Sequence, residues 1–180
     1  MFKLFDKLKQ RKQIKESVND FDALWDTDFD DIWNIENKNS FLIALNGWLC
    51  KKSNYGEYMG KLSDAEKAFY LVFQLEGEVN NGGFSQYFYN SSGNSANETA
   101  NALCEISADK TAKIYKKALA ALGSVVPKNR DERETMLEGI ITDEVSEVLS
   151  KCDTEFYEYP DNLEDLNYQF ILKNKAQFTR

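Results

Sequence analysis

Histidine is absent from the 180 residues of the chain. Without an imidazole there is no Ser-His-Asp triad, no His general base and no His-ligated metal centre. The three cysteines, Cys50, Cys104 and Cys152, are widely spaced and form no Cys-x-x-Cys pair, which excludes zinc knuckles and thioredoxin-type motifs. We therefore expect three reduced thiols in a cytoplasmic protein that has no metal, no cofactor and no enzymatic activity.

Long apolar runs are also missing. None approaches the ~18 residues of a membrane span, and the N-terminal segment lacks the apolar core of a signal peptide. Only two prolines occur, which leaves long stretches free to form helices. The 22 basic and 30 acidic residues give a net charge of −8. Such a chain is unsuited to direct nucleic-acid binding, because phosphate contacts require a basic stripe.

Helical periodicity runs through nearly the whole sequence. Ser63 with Glu66, and Ser95 with Glu98, have the spacing of capping boxes, which mark helix starts. Strand-like alternation is confined to the short stretch EFYEY at 155–159. We predict an all-α fold, a single globular irregular helical bundle. Residues 16–180 would form this one domain, preceded by a basic amphipathic helix over residues 1–15.

Charge is distributed in blocks. Residues 1–15 carry six basic groups and one acid, whereas residues 20–36 carry seven acids and no base. Residues 131–165 carry thirteen acids and two bases, Arg133 and Lys151. Each block is explained by a solvated surface. The alternative is that the acids form a surface that competes for a basic partner.

The chemically distinctive segment is EGEVNNGGFSQYFYNSSG at 76–93. Gly82 and Gly83 permit positive φ or close backbone approach, and Phe84 begins a short helix with an aromatic inner face. The polar side chains predict a hydrogen-bonded knot formed by Glu78, Asn81, Gln86 and Asn90. A tight corner between helices is one interpretation, and a small pocket or partner-binding turn is the other. The segment is not a phosphate loop, since it lacks Gly-Lys-Ser/Thr and no strand precedes it.

At this segment the chain resembles the DNA-mimic-protein family, otherwise catalogued as a domain of unknown function. The resemblance rests on the run from Glu78 to Phe84, followed by Gln86, Phe88 and Asn90. The helix that ends at Leu122 and the tail from Asp153 onward also fit, so that the family-like core covers about residues 40–178. The resemblance implies a small acidic helical bacterial protein. It also implies a homodimer whose carboxylates imitate DNA phosphates and sequester a DNA-binding regulator.

Mimicry needs carboxylates in rows, and acids at i, i+4 on a helix lie ~6 Å apart along its axis. Asp22, Asp26 and Asp30 have this spacing if 20–31 is one helix, although Thr27 and Asp28 could instead cap and interrupt it. A second group of acids crowds the C-terminal region. The predicted partner-binding residues are Asp22, Asp26, Asp28, Asp30, Asp31, Glu155, Glu158, Asp161, Glu164 and Asp165.

These observations favour an acidic binding protein that occupies a basic protein surface. The partner would be a DNA-binding regulator, or a toxin if the chain is an immunity-type protein that neutralises one. A peripheral membrane protein attached through residues 1–15 ranks lower, because one short helix with four apolar residues binds only marginally. An enzyme that uses the paired carboxylates Glu76 and Glu78 ranks lowest, because these alternate acids do not share a helix face.

Overall fold

A computed structural model describes residues 21–123 and 125–180, and its secondary structure confirms the all-α class. The described residues are 77% helical, and no strand occurs among them. The predicted basic helix over residues 1–15 lies outside this part of the chain. The stretch EFYEY belongs to a helix as far as Tyr157, so its alternation does not mark a strand.

Nine α-helices follow one another in the described residues. They are α1 (Phe21–Trp25), α2 (Phe29–Ile32), α3 (Lys38–Ser53), α4 (Asp64–Tyr89), α5 (Ala96–Glu105), α6 (Asp109–Ala121), α7 (Arg130–Ile140), α8 (Asp143–Tyr157) and α9 (Leu163–Lys173). Short 3-10 turns occur at Met59–Lys61, Ser91–Ser95 and Lys175–Gln177. None of the described helices is both long and apolar enough to cross a membrane.

The chain divides into two compact units, with boundaries inside α4 after Glu66 and inside α9 before Ile171. Among the described residues, unit 1 contains 21–66 together with Ile171–Arg180, and unit 2 contains the described part of Lys67–Phe170. The expectation of one domain over 16–180 stays a prediction.

Unit 1 is built around α3. This helix starts at the Asn37 cap, whose side chain accepts a hydrogen bond from the backbone N–H of Ser40 at 2.9 Å. Helix α1 packs so closely on α3 that a Cβ on Gly47 would lie 2.8 Å from the Trp25 carbonyl oxygen. At the end of the unit, Ser63 and Glu66 form the predicted capping box, each side chain accepting from the other's backbone N–H.

Unit 2 has an aromatic core to which α4, α6 and α8 contribute. Its buried rings pack with centroid separations of 5.2–6.2 Å and come from Phe84, Tyr87, Phe88, Tyr115 and Phe156. The Tyr115 hydroxyl donates to the Ala96 carbonyl at 2.6 Å, so this buried hydroxyl has a partner. Burial raises the pKa of Tyr87 to about 12, which keeps that hydroxyl neutral in the core.

The second predicted capping box is wrong. Helix α5 begins at Ala96, and the Ser95 side chain makes no capping hydrogen bond. The residues directly before α5 already form a 3-10 turn, which leads into the helix without a side-chain cap. The Ser95 carbonyl accepts a hydrogen bond from the Thr99 hydroxyl at 3.0 Å. The Glu98 carboxylate pairs with Lys128 and does not reach back to the helix start.

Candidate functional site

The Asn-Gly-Gly-Phe corner is a kink inside α4. Gly83 has φ +75°, in the left-handed region, whereas Gly82 has φ −163°, which is extended backbone open to any residue. A Cβ on Gly83 would lie 2.5 Å from Oδ2 of Asp153, so glycine is required there both by conformation and by space. A Cβ on Gly82 would meet only the end of the Gln86 side chain, at 2.2 Å.

The knot predicted at this corner is centred on Glu78. Its carboxylate accepts from the Gln86 amide at 2.7 Å and from the Asn90 amide at 2.9 Å. The Ser92 hydroxyl also donates to it, at 3.1 Å, a partner that the sequence did not indicate. Asn81, the fourth predicted member, is exposed and is not among the partners of Glu78. The knot ties the two halves of α4 to the 3-10 turn that follows.

Helix α8 holds the other side of the corner. The backbone N–H of Phe84 donates to Oδ1 of Asp153 at 2.7 Å. Burial raises the pKa of Asp153, and the hydrogen bond from Phe84 offsets part of that rise. The Tyr157 hydroxyl donates to the Val79 carbonyl at 2.8 Å. These contacts make the corner a structural junction, with its polar groups directed at other parts of unit 2.

Arg133 on α7 is fully buried in unit 2, with 0% of its surface exposed. Its guanidinium donates to five acceptors at 2.6–3.1 Å, and none of them is a carboxylate. Four are backbone carbonyls, and the fifth is the amide oxygen of Asn94. The five partners are Phe88, Asn90, Asn94, Pro127 and Lys128. Burial lowers the pKa of Arg133, and all five of its hydrogen-bond acceptors are neutral dipoles.

The acids predicted in 20–36 do not form one helical row. Helix α1 ends at Trp25 and α2 begins at Phe29, so the i, i+4 series from Asp22 to Asp30 is interrupted. Asp26 pairs with Lys51 at 2.5 Å, and Asp30 pairs with Arg180. Asp28 is exposed and Asp31 is half-buried, and neither has an ion pair within the described residues.

Among the acids predicted in 153–165, some have a hydrogen-bond or ion-pair partner and others have no cationic partner in the described residues. Glu155 pairs with Lys117 at 2.6 Å, and Asp161 accepts from the backbone N–H of Thr111 at the start of α6. Asp165 interacts with Asn162 at the start of α9. Glu158 and Glu164 are exposed and have no cationic partner among the residues that the structure describes.

A third set of acids, on α7 and α8, was not among the predicted residues. Residues 131–147 contain seven acids and one base, Arg133, which is buried. Glu134 pairs with Arg130 and Glu147 pairs with Lys151. Five exposed acids have no cationic partner in the described ranges, and we call them the α7–α8 acidic set: Asp131, Glu132, Glu138, Asp143 and Glu144. A hydrogen bond from Thr142 holds the pKa of Glu144 below its usual range, so this member stays ionised.

Comparison with known proteins places these features in a family. The family model described as DMP19-like protein matches residues 60–174, which is more than half of the chain. No curated protein and no solved structure matches the chain. The matched residues contain the Gly83 kink, the Glu78 knot, the buried Arg133 and the α7–α8 acidic set. The chain therefore belongs to the DMP19-like protein family.

Proposed function

We propose that the chain is an acidic binding protein that occupies a basic protein surface as a DNA mimic, with a DNA-binding regulator as its partner. The DMP19 family is a family of DNA mimics, which supports this choice over a generic acidic protein. The function is binding, without catalysis.

The observation that carries the proposal is the charge left on α7 and α8. Since Arg133 is buried, no side chain of a base in 131–147 contributes positive charge to the surface. Exposed carboxylates of one sign create a field that attracts a basic surface and speeds its encounter. The predicted residues of unit 2 that lack cationic partners, Glu158 and Glu164, would add to this binding surface.

Helix geometry gives the acids on α7 a spacing suited to a nucleic-acid binding partner. Glu134 and Glu138 are four residues apart, which corresponds to ~6 Å along the helix axis. Asp131, Glu134 and Glu138 lie at i, i+3 and i+7, on one face of the helix. Asp131 and Glu138 have no cationic partner in the described chain, and Glu134 has only its i, i+4 pair with Arg130, which a cation of the partner can replace. A protein whose lysines and arginines neutralise successive phosphates presents cations that such a row can pair.

The test begins by capturing the partner from native lysate at low salt and identifying it by mass spectrometry. Its affinity and association rate are then measured for the wild-type chain and for the double variant Glu132→Lys, Glu138→Lys. We expect the affinity of this variant to fall by about tenfold or more, mainly through slower association, because rim charges act on encounter. The wild-type affinity should also fall steeply with salt, since exposed charges are screened beyond ~8 Å at physiological ionic strength.

The matched control is Glu105→Lys with Asp109→Lys. Both acids are exposed in unit 2, the charge change is the same, and each pair contains one acid in a first helical turn and one in a last turn. We expect a change in affinity below about twofold for the control, since these acids lie outside the α7–α8 acidic set. Equal losses in both variants, or an affinity that does not change with salt, would contradict the proposal.

A further inference from the structure

Residues 178–180 lie in unit 1 in the manner of a bound peptide. Phe178 has extended dihedral angles and only 4% of its surface exposed, with its ring centroid 6.5 Å from that of Trp33. The ammonium of Lys175 also contacts this ring, 4.4 Å from the Trp33 centroid. The aromatic side chain of the segment is therefore inserted into a pocket of unit 1.

The main chain of the segment is bound by two charged side chains. The backbone N–H of Thr179 donates to Oε1 of Glu66 at 2.9 Å. The ammonium of Lys52 donates to the Thr179 carbonyl at 2.7 Å and to the Glu66 carboxylate at 2.8 Å. Glu66 has no exposed side-chain surface, and Lys52 has only 13%. A buried ion pair is thus oriented to bind a peptide unit through its main chain, and the Lys52 ammonium also lies 3.3 Å from the Thr179 hydroxyl oxygen.

The third contact is selective for a cation. The guanidinium of Arg180 pairs with Asp30, and both side chains remain about two-thirds exposed, at 65% and 64%. An exposed pair of this kind is weak and exchanges readily with other cations. The segment therefore shows what fits the groove: an aromatic side chain, one residue bound through its main chain, and an arginine.

We propose that this groove in unit 1, lined by Trp33, Lys52, Glu66 and Asp30, is a peptide-binding site. It takes an extended segment with an aromatic residue followed two positions later by arginine. Its natural occupant is such a segment of a basic protein, and residues 178–180 occupy the site until that segment displaces them. Only the choice of a basic partner rests on the proposed function. Main-chain bonds for affinity and side-chain pockets for specificity are the usual division in extended-peptide recognition.

The probe is a synthetic, fluorescently labelled hexapeptide with the sequence of residues 175–180, and the readout is fluorescence anisotropy. The protein is the full chain, as wild type and as Phe178→Ala, which frees the aromatic pocket. We expect saturable binding to the variant and at least tenfold weaker binding to the wild type, because the tethered segment competes at a high effective concentration. Replacing the arginine of the probe by alanine should weaken binding about twofold to fivefold, and Asp30→Asn in the variant should abolish that difference.

Thr179→Pro provides a second opened variant if Phe178→Ala does not fold. Proline removes the N–H that Glu66 binds while suiting the extended conformation that Phe178 already has. The proposal is overturned if the probe binds neither folded variant, or binds the wild type equally well. Adding Glu132→Lys and Glu138→Lys to the Phe178→Ala chain should leave its affinity for the probe unchanged. A wrong proposal for the groove and a wrong proposal for the α7–α8 acidic set can therefore be told apart.

Discussion

The acidic segments 20–36 and 131–147 differ in the fate of their counter-ions. In 20–36, which contains no base, Asp26 and Asp30 are paired with cations from distant parts of the sequence, Lys51 and Arg180. In 131–147 the only base, Arg133, is buried, and five exposed acids have no cationic partner in the described residues. Two acids of 131–147 also have ion pairs, Glu134 with Arg130 and Glu147 with Lys151, but each of these bases lies four residues away on the same helix. The counter-ions of the more acidic segment thus come from distant parts of the chain, whereas those of 131–147 are local. Net charge along a sequence does not measure the charge that a surface presents.

The largest expected effect concerns Arg133. Replacing it by alanine should lower the free energy of unfolding by about 3–5 kcal/mol, because a fully buried guanidinium and its hydrogen bonds to five acceptors are lost. Arg130→Ala, on the same helix, removes an exposed i, i+4 pair with Glu134 and a guanidinium contact 6.0 Å from the Tyr89 ring centroid, and should change stability by less than about 1 kcal/mol. Urea unfolding followed by circular dichroism measures both. Similar losses of unfolding free energy in the two variants would show that the buried Arg133 does not stabilise the packing of α7.

A second prediction concerns Gly83, which faces the Asp153 carboxylate inside the acidic segment 131–165. Gly83→Ala should lower the free energy of unfolding by about 1–3 kcal/mol, since alanine is strained at φ +75° and its Cβ meets the carboxylate. Gly77→Ala is the control in the same helix, because a Cβ there meets nothing within 4 Å. It should be neutral or stabilising by up to about 1 kcal/mol. A Gly83 variant as stable as the wild type would contradict the requirement for glycine at this corner.

Asp153 itself should give a pH-dependent effect. Burial raises the pKa of its carboxyl in the folded chain above the unfolded value, so ionisation favours unfolding. The wild type should then lose stability relative to Asp153→Asn as pH rises through the acidic range, and the difference should be smallest at low pH. Asparagine keeps an acceptor for the Phe84 N–H. Unfolding curves recorded from acidic to neutral pH measure this, and Asp131→Asn, an exposed acid on α7, serves as the control. A gap that widens toward low pH would contradict the assignment.

Periodicity and local chemistry predicted much of the fold. The Ser63–Glu66 capping box, the buried face of α4 and the inward aromatic residues of the corner depend on neighbouring residues and were accessible from the sequence. The kink at Gly82 and Gly83, followed by a second helical stretch, was also predicted as a corner between helices. The contacts of Asp153 on α8 with this corner were not predicted. These contacts join residues up to 69 positions apart, so local patterns do not report them.

The candidate site was harder to predict for the same reason. A single arginine among acids is typical of a solvated surface, and nothing nearby in the sequence signals that five acceptors surround Arg133. The counter-ions of Asp26 and Asp30 come from 25 and 150 residues away. The acids could be listed from the sequence, but which of them keep a free carboxylate is decided by tertiary contacts.

The smallest expected effect tests the compensated segment directly. Asp26→Asn removes the pair with Lys51, in which both side chains are substantially exposed, so we expect a loss below about 1 kcal/mol in the free energy of unfolding. Salt should reduce this loss further, because it screens the pair in the wild type. Asp28→Asn, two residues away and without an ion pair in the described chain, should change stability by less than about 0.5 kcal/mol at any salt concentration. Paired urea titrations at low and high salt resolve the two. Indistinguishable variants would mean that Lys51 does not neutralise Asp26 in solution, and the contrast between the two acidic segments would then rest on the Asp30–Arg180 pair and on the burial of Arg133.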